Sequence, residues 1–443
     1  MIDSVSTKKY SVTSLFSGCG GLDIPFSNDK YDILNAFDND PAAIQCLSYN
    51  LKCPAKVLDV LSPEFEIELK KLNSSDIVLG GFPCQGFSKS GPKKQNDPRN
   101  QLYKSMQIAI EFLNPKVFIA ENVDGLVQNF DGSFVDQIIK DFSSIGYKVE
   151  YRVLNAVNFG VAQFRRRIIF VGIKDKSAIQ FQWPHLTHKG SSRNGEFKTK
   201  WEPIENDLFS GIELIKSVTI KDTIEDLLDN NDIHLDSTFI PVDRSDTIII
   251  SKIKEGQKLC NVRFSESSVY TWDIPEVFGD VSDLEIEILQ VIGKNRRKKI
   301  YGNIPNGNPL SIEIIQKLLG KSVSIDIVKS MLKKGYLKEI DSKYDLKGAM
   351  FCSGLYKRPF WDEPSPTVLT VFDNPRYFVH PKKNRPFTIR ECARLQSFPD
   401  SFKFLDSGIK IKDAYRLIGN AVPPLLASAI EQSVYKYLLG ESK

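Results

Sequence analysis

Long apolar runs are missing from this 443-residue chain. None approaches the ~20 residues that a bilayer-crossing helix needs. With 26% charged residues the composition excludes a membrane protein. The first ten residues, MIDSVSTKKY, contain no apolar core, so no secretory signal is expected. Cysteine is sparse: seven residues, an odd number, scattered without a C-x-x-C pair. That excludes a disulfide framework and fits reduced thiols in a cytosol. Histidine is rarer still, with four. His185 and His188 are spaced like ligands, but no cysteines accompany them, so no metal site is expected. An excess of charge of one sign is also nearly absent. A net +4 permits a polyanionic partner without demanding one. There is no internal repeat and no low-complexity tract. What remains is a chain with 41% hydrophobic residues, enough for two or three domains with substantial cores.

The first 175 residues alternate β-rich runs with amphipathic stretches. The strands expected are SVTSLF (11–16), DILNAF (32–37), AKVLDV (55–60), DIVLGG (76–81), KVFIAE (116–121), KVEYRVL (148–154) and RIIFVG (167–172). Between them, DPAAIQCLSYNL (40–51) opens on an aspartate cap with proline at the first helical position. Further helices are expected at 99–113 and 133–146. Such alternation predicts an α/β fold, a mostly parallel sheet with helices on both faces. From about 183 the pattern is lost, and 185–200 reads as a polar loop. Helical periodicity returns at 282–293, 311–320 and 324–335, followed by a hairpin at 336–348. These segments read either as a winged-helix-like unit or as a three-helix structural insert. After 356 the chain regains α/β character and ends on an apolar helix at 423–439.

Five features fall where strands end. FSGCGGLD (16–23) follows the first strand, and its glycines 18, 20 and 21 allow a ligand close to the backbone. The pattern is not G-x-G-x-x-G, so no pyrophosphate is specifically indicated. Asp38 ends the second strand, the position from which nucleoside-binding α/β folds hold ribose hydroxyls. Asp59, after the third strand, falls at the same edge. Each carboxylate also has an ordinary reading as a cap or solvated group. Cys84, in LGGFPCQGFSKSG (79–91), follows the fourth strand, and Glu121 ends the fifth. In VAQFRRRIIFVG (161–172), strand alternation puts Arg165 and Arg167 on one face and Arg166 on the other. A thiol, a carboxyl group and a guanidinium beside a nucleoside-type cofactor suit an electron-poor pyrimidine: the thiolate adds to C6, the acid engages N3 and the arginine holds O2.

This set of motifs resembles the DNA (cytosine-5)-methyltransferase family of bacterial restriction–modification systems. The motifs run in order: FSGCGG (16–21), GGFPCQGFS (80–88), ENV (121–123), QFRRR (163–167), RPFWDEPSPTVLT (358–370), RECARLQSFPD (390–400) and GNAVPP (419–424). The resemblance implies an S-adenosylmethionine-dependent, Rossmann-like catalytic domain at 1–185, a smaller mixed target-recognition domain at 186–355, and a return to the catalytic domain at 356–443. It implies Cys84 as nucleophile, Glu121 and Arg167 gripping the target cytosine, and Arg165 supporting them. It places Phe16, Gly18, Gly20, Gly21, Asp38, Asp59, Pro83, Leu102 and Asn420 around S-adenosylmethionine, the product being S-adenosylhomocysteine. Serine at 17 and aspartate at 38 depart slightly from the usual alanine and glutamate.

The stretch 88–102 resembles the loop that closes over DNA in this family, with Gln85, Ser88, Lys89, Lys93 and Lys94 meeting it. In the inserted region GKNRRKK (293–299) is the densest basic run, and Arg296 and Arg297 are expected at phosphates. The base would have to be flipped out of the duplex. The partners implied are double-stranded DNA with a short target site and a matching endonuclease that pairs with the enzyme in function only. The expected state is a monomer in a bacterial or archaeal cytoplasm, at the nucleoid. An RNA cytosine-5 methyltransferase, a DNA-binding protein without catalysis and a thiol hydrolase are the rival readings. The long insert, the presence of the whole trio, and the lack of a nearby histidine argue against them in turn.

Overall fold

Alternating runs of the first 175 residues build one seven-stranded sheet: β1 (Tyr10–Leu15), β2 (Tyr31–Asp38), β3 (Ala55–Val57), β4 (Ile77–Gly80), β5 (Val117–Val123), β6 (Tyr147–Asn155) and β7 (Arg166–Lys174). The computed structural model describes residues 9–83, 102–128, 133–174, 179–192, 195–196, 213–228, 235–261, 265–304, 307–347 and 354–440. Strand order is β3-β2-β1-β4-β5-β7-β6. Strands β1 to β5 pair in parallel, and β7 runs antiparallel to both β5 and β6. The sheet is therefore mostly parallel, with one reversed strand. The ladder of β3 ends at Val57, three residues short of the expected strand, where the Leu58 N–H still donates to the Asp38 carbonyl.

Side-chain alternation divides each strand between two cores. In β5, Phe118 and Ala120 face a core formed with α2 (Pro63–Leu69), α3 (Leu102–Leu113) and α4 (Ser133–Ser144). Val117 and Ile119 face a second core that includes α1 (Pro41–Leu51). The expected cap of α1 is present: Asp40 Oδ1 accepts from the Ala42 N–H at 3.0 Å, with Pro41 in the first turn. Helices thus lie on both faces, as the alternation predicts.

Packing divides the chain into two compact units, at boundaries other than 186 and 355. One comprises 1–238, 362–371 and 388–443, and the other comprises 239–361 and 372–387. The second unit contains α5 (Arg244–Lys252), α6 (Asp283–Asn295), α7 (Ile312–Leu319), α8 (Ile325–Lys333) and the antiparallel hairpin β8 (Leu337–Ile340)–β9 (Lys343–Leu346). Serines 282, 311 and 324 cap α6, α7 and α8 by accepting a backbone N–H three residues on. Gly320 ends α7 in the left-handed region. Leu310, between α6 and α7, pairs with Tyr344 of β9 in antiparallel fashion, with N···O distances of 2.9 and 2.8 Å. Helices α6 to α8 and the hairpin close over one apolar core around Ile292, Leu310, Val328, Met331 and Tyr344, while α5 packs in a second one through Ile249 and Ile250. Elsewhere in this unit Arg358 is buried, and its guanidinium collects the carbonyls of Ile250, Ile253, His380 and Lys383.

Residues 388–443 return to the first unit and form α9 (Ile389–Leu395), α10 (Ile411–Asn420) and α11 (Pro424–Leu438). Leu426, Ile430 and Val434 of α11 complete the core that α1 shares with the sheet. Among the described residues no helix is long and apolar enough to cross a membrane.

Candidate active site

The carboxyl ends of the parallel strands share one edge, and the reversal of β7 brings its first residues to that edge as well. Glu121 continues the row of Val117 and Ile119 along β5. In the β5–β7 ladder Glu121 stands opposite Ile169, and Val123 stands opposite Arg167. Glu121 and Arg167 are therefore diagonal neighbours on one face. Arg167 Nε lies 2.6 Å from Glu121 Oε1, and both side chains are about nine-tenths buried (12% and 11% exposed). Burial pushes the Glu121 carboxyl above its ordinary value, while the charges of Arg167 and Arg165 pull it down. Arg166 points to the other side and lies 3.7 Å from Asp124.

Arg165 is buried to 1% exposure. Its guanidinium donates to the carbonyls of Val368 at 3.2 Å and Gly419 at 2.8 Å. It thus ties QFRRR to two of the three C-terminal motifs, and its charge is felt at Glu121. Gln163 and Gln396 extend the same seam. The Val368 N–H donates to Gln163 Oε1, Gln163 Nε2 bonds the Gln396 side chain, and Gln396 Nε2 reaches the carbonyls of Ile418 and Ala421. Both glutamines stand in the quoted motifs, yet nothing local in the sequence marks them as partners.

The loop after β4 runs beside the carboxylate. A Cβ added at Gly81 would lie 3.3 Å from Glu121 Oε2, and Asn122 Nδ2 donates to the Phe82 carbonyl at 2.9 Å. Pro83, exposed, is the last residue described there. Cys84, Gln85, Ser88, Lys89, Lys93 and Lys94 lie outside the described residues. Leu102, buried, opens α3.

At β1 the chain turns sharply. Phe16 adopts φ of 53°, Gly18 55° and Gly20 94°. A side chain at Gly18 would meet nothing within 4 Å, so the loop leaves open space there. Gly21 has none: its Cβ would come within 2.4 Å of the Val422 carbonyl oxygen. The glycine loop is thereby pressed onto GNAVPP. Asp38 faces the loop from the end of β2, its two oxygens accepting from the N–H groups of Gly18 (2.8 Å) and Asp40 (2.9 Å). Burial raises its carboxyl above the ordinary value. Asp59 is exposed, two residues past β3, with Oδ1 on the Leu61 N–H. Asn420 is exposed at the end of α10. Sequence reading passed over Asp23, the last residue of FSGCGGLD. It is fully buried, and burial, helped by the charge of Asp38, pushes its carboxyl up to about 7.

One expected contact is corrected. Arg296 is no phosphate ligand: it is 3% exposed, and its guanidinium grips both oxygens of Asp345 at 2.6 and 2.7 Å. Arg297 beside it is exposed. Among the described residues no group of three His, Cys, Asp or Glu could hold a metal ion, and the five described cysteines are free thiols.

The profile of C-5 cytosine-specific DNA methylases matches residues 10–436. The chain belongs to that family. The methylase is thus an S-adenosylmethionine-dependent DNA cytosine-5 methyltransferase. It is 29% identical over 439 residues to the type II methyltransferase M.DdeI of Desulfomicrobium norvegicum, covering 96% of this chain and 89% of that one. It is 28% identical to M.BanI of Aneurinibacillus aneurinilyticus, covering 98% and 97%. A prophage-encoded E. coli protein of solved structure shares its fold, with a TM-score of 0.53 at 23% identity over 98% of this chain and all of that one. The cradle formed by Gly18 and Asp38 suits a nucleoside cofactor, with open space at the turn and an acceptor at the adjacent strand end, whereas Gly20 packs against Leu47 and Leu51.

Proposed function

We propose that the protein methylates cytosine at C5 within a short specific DNA sequence, with Cys84, Glu121 and Arg167 acting on a base flipped out of the duplex. The observation that carries this is the buried Glu121–Arg167 pair beside Gly81–Pro83, the segment that leads directly into Cys84. Cys84 as thiolate forms a bond to C6, and the ring electrons move toward C5. Glu121, its carboxyl raised by burial, holds a proton at N3, and Arg167 holds O2. Arg165 acts through these two as a positioning residue. S-adenosylmethionine supplies an electrophilic methyl group for C5 and is released as S-adenosylhomocysteine. A water molecule then takes the C5 proton, the C5–H electrons re-form the C5=C6 bond, the Cys84 sulfur leaves C6 as thiolate, and N3 returns its proton to Glu121, which restores both the aromatic ring and the catalyst. No metal is needed for any of these steps.

Gly18, Gly20, Gly21 and Asp38 would hold the cofactor, with Phe16, Asp59, Pro83, Leu102 and Asn420 around it. Gln85 would contact the DNA, Ser88, Lys89, Lys93 and Lys94 would meet its phosphates, and the inserted region would choose the site. The relatives' type II names support a role in a restriction–modification system; in this reading the chain acts as a monomer in the cytoplasm, apart from the endonuclease it protects against.

Bisulfite sequencing of plasmid from a methylation-free host expressing the chain tests the activity. Protected cytosines at one recurring motif are expected, and Cys84→Ser should erase them while leaving DNA binding. Turnover by purified Cys84→Ser would remove the nucleophile from this reading. Complete conversion with wild-type protein would remove DNA as substrate and point to RNA.

A further inference from the structure

We infer that residues 281–347 form a winged-helix DNA-reading unit, with α8 as the helix that enters the major groove of the target duplex. The inference rests on the proposed DNA methyltransferase function and deepens it by naming the element that reads the site.

Topology is the first ground. The order is helix α6, a single paired residue at Leu310, helices α7 and α8, then β8 and β9. The Leu310–Tyr344 bridge makes β9 the middle of three antiparallel strands, flanked by β8 and Leu310. Helices α7 and α8 are joined by Gly320–Ser324, a short turn opening on a left-handed glycine. Two short helices about such a turn form a helix-turn-helix, whose second helix docks in DNA. A structural insert would need the helices but not this strand order.

Charge is the second ground. Residues 281–347 carry thirteen Lys and Arg against eight Asp and Glu, a surplus of five. The whole chain has a surplus of four, so everything outside this segment is net −1. Within it, Glu285, Glu287 and Asp345 are taken up by ion pairs with Lys334, Lys321 and Arg296.

The third ground is the face of α8. Val328 and Met331 point into the core. Ile325, Asp326, Lys329 and Lys333 are exposed, and at about 100° per residue they fall within one quarter to one third of the helix circumference. Ile325, 46% exposed, is placed to meet a thymine methyl, and lysines are donors to guanine O6 and N7 or to phosphate. The hairpin adds the exposed Lys343 at its tip, near Asp341, while Lys338 stands opposite Asp345 with its Nζ 3.6 Å from that carboxylate. The exposed Arg297, Lys298 and Lys299 follow α6. The basic run thus keeps a phosphate role without Arg296.

The test uses the full chain with Lys329→Ala and Lys333→Ala together, and separately Ile325→Ala. The control is Lys140→Ala with Lys436→Ala, which removes the same charge from exposed positions on helices α4 and α11. Methyl transfer from labelled S-adenosylmethionine is measured on DNA carrying the site found by bisulfite sequencing. The lysine variant should drop about tenfold in kcat/KM for DNA, and its salt dependence should flatten by about 0.9 in log–log slope for each phosphate it no longer neutralises. Ile325→Ala should tolerate a changed base that the wild type rejects. KM for S-adenosylmethionine and the melting temperature should stay unchanged in both, which separates impaired reading from misfolding. Variants that match the control in kcat/KM, salt slope and site would overturn the assignment of α8. Wild-type protein that methylates no DNA would instead overturn the enzymatic reading beneath it.

Discussion

Asp23 offers a stability effect whose size follows from its burial. Its carboxyl ionises near 3.8 in an unfolded chain and at about 7 in the folded one. Between those values the native state holds a proton that the unfolded state has released. Stability therefore falls as pH rises from about 4 to about 7, and it is level above. The full difference is roughly three pKa units, or about 4 kcal/mol. Asp23→Asn cannot ionise and should escape the loss. In urea unfolding of both proteins, the stability of the variant relative to wild type should improve by about 3 kcal/mol between pH 5 and pH 8, because about two units of the titration lie in that window. A constant offset between the two curves would show that Asp23 is charged throughout, and the argument from burial would fail. The same titration should be visible in cofactor binding. Asp23 closes the glycine loop and shares its field with Asp38, so ionisation above about pH 7 places a second negative charge near the Gly18 turn.

Three further outcomes can be checked directly. Glu121→Gln should slow single-turnover methyl transfer by at least ~10-fold, since an amide donates a hydrogen bond but delivers no proton; equal rates would refute this. Arg296→Met should destabilise the second unit by about 3 kcal/mol by taking both close hydrogen bonds from the buried Asp345 and leaving it only Lys338 at 3.6 Å, whereas Arg297→Ala should leave its melting unchanged; the reverse order would return Arg296 to the surface. Gly21→Ala should cost about 1–3 kcal/mol by driving the glycine loop away from Val422, and it should weaken S-adenosylmethionine binding in equilibrium dialysis; unchanged affinity would show that the loop tolerates the shift.

Much of the first unit was legible because its signals are local. Asp40 and Pro41 mark the start of α1, and strand alternation separates Arg167 from Arg166; Arg165 precedes β7 and is held instead by the carbonyls of Val368 and Gly419. The serine caps and Gly320 likewise mark α6 to α8 within one turn. The direction of β7 was not legible, because a buried apolar strand reads the same in either sense. Arg296 was misplaced because its partner, Asp345, lies 49 positions away and only the fold brings them together. The Leu310 strand is one residue long, below any periodicity. Gln163 and Gln396 lie 233 positions apart, and each looks like an ordinary polar side chain on its own. Asp23 looked like the end of a motif, and only burial reveals its altered acidity.

Helix α11 also sets a constraint on how the chain is made. The sheet is complete once β7 has been synthesised, but Pro424, the first residue of its covering helix, comes 250 residues after Lys174. At roughly 5–20 residues per second the ribosome takes about 12 to 50 seconds to supply it. Throughout that interval Val12, Ile77, Ile119 and Val171 have no α11 to bury them. Translation is thus a window of aggregation risk, and host chaperone capacity should decide the yield of this protein more than its final stability does.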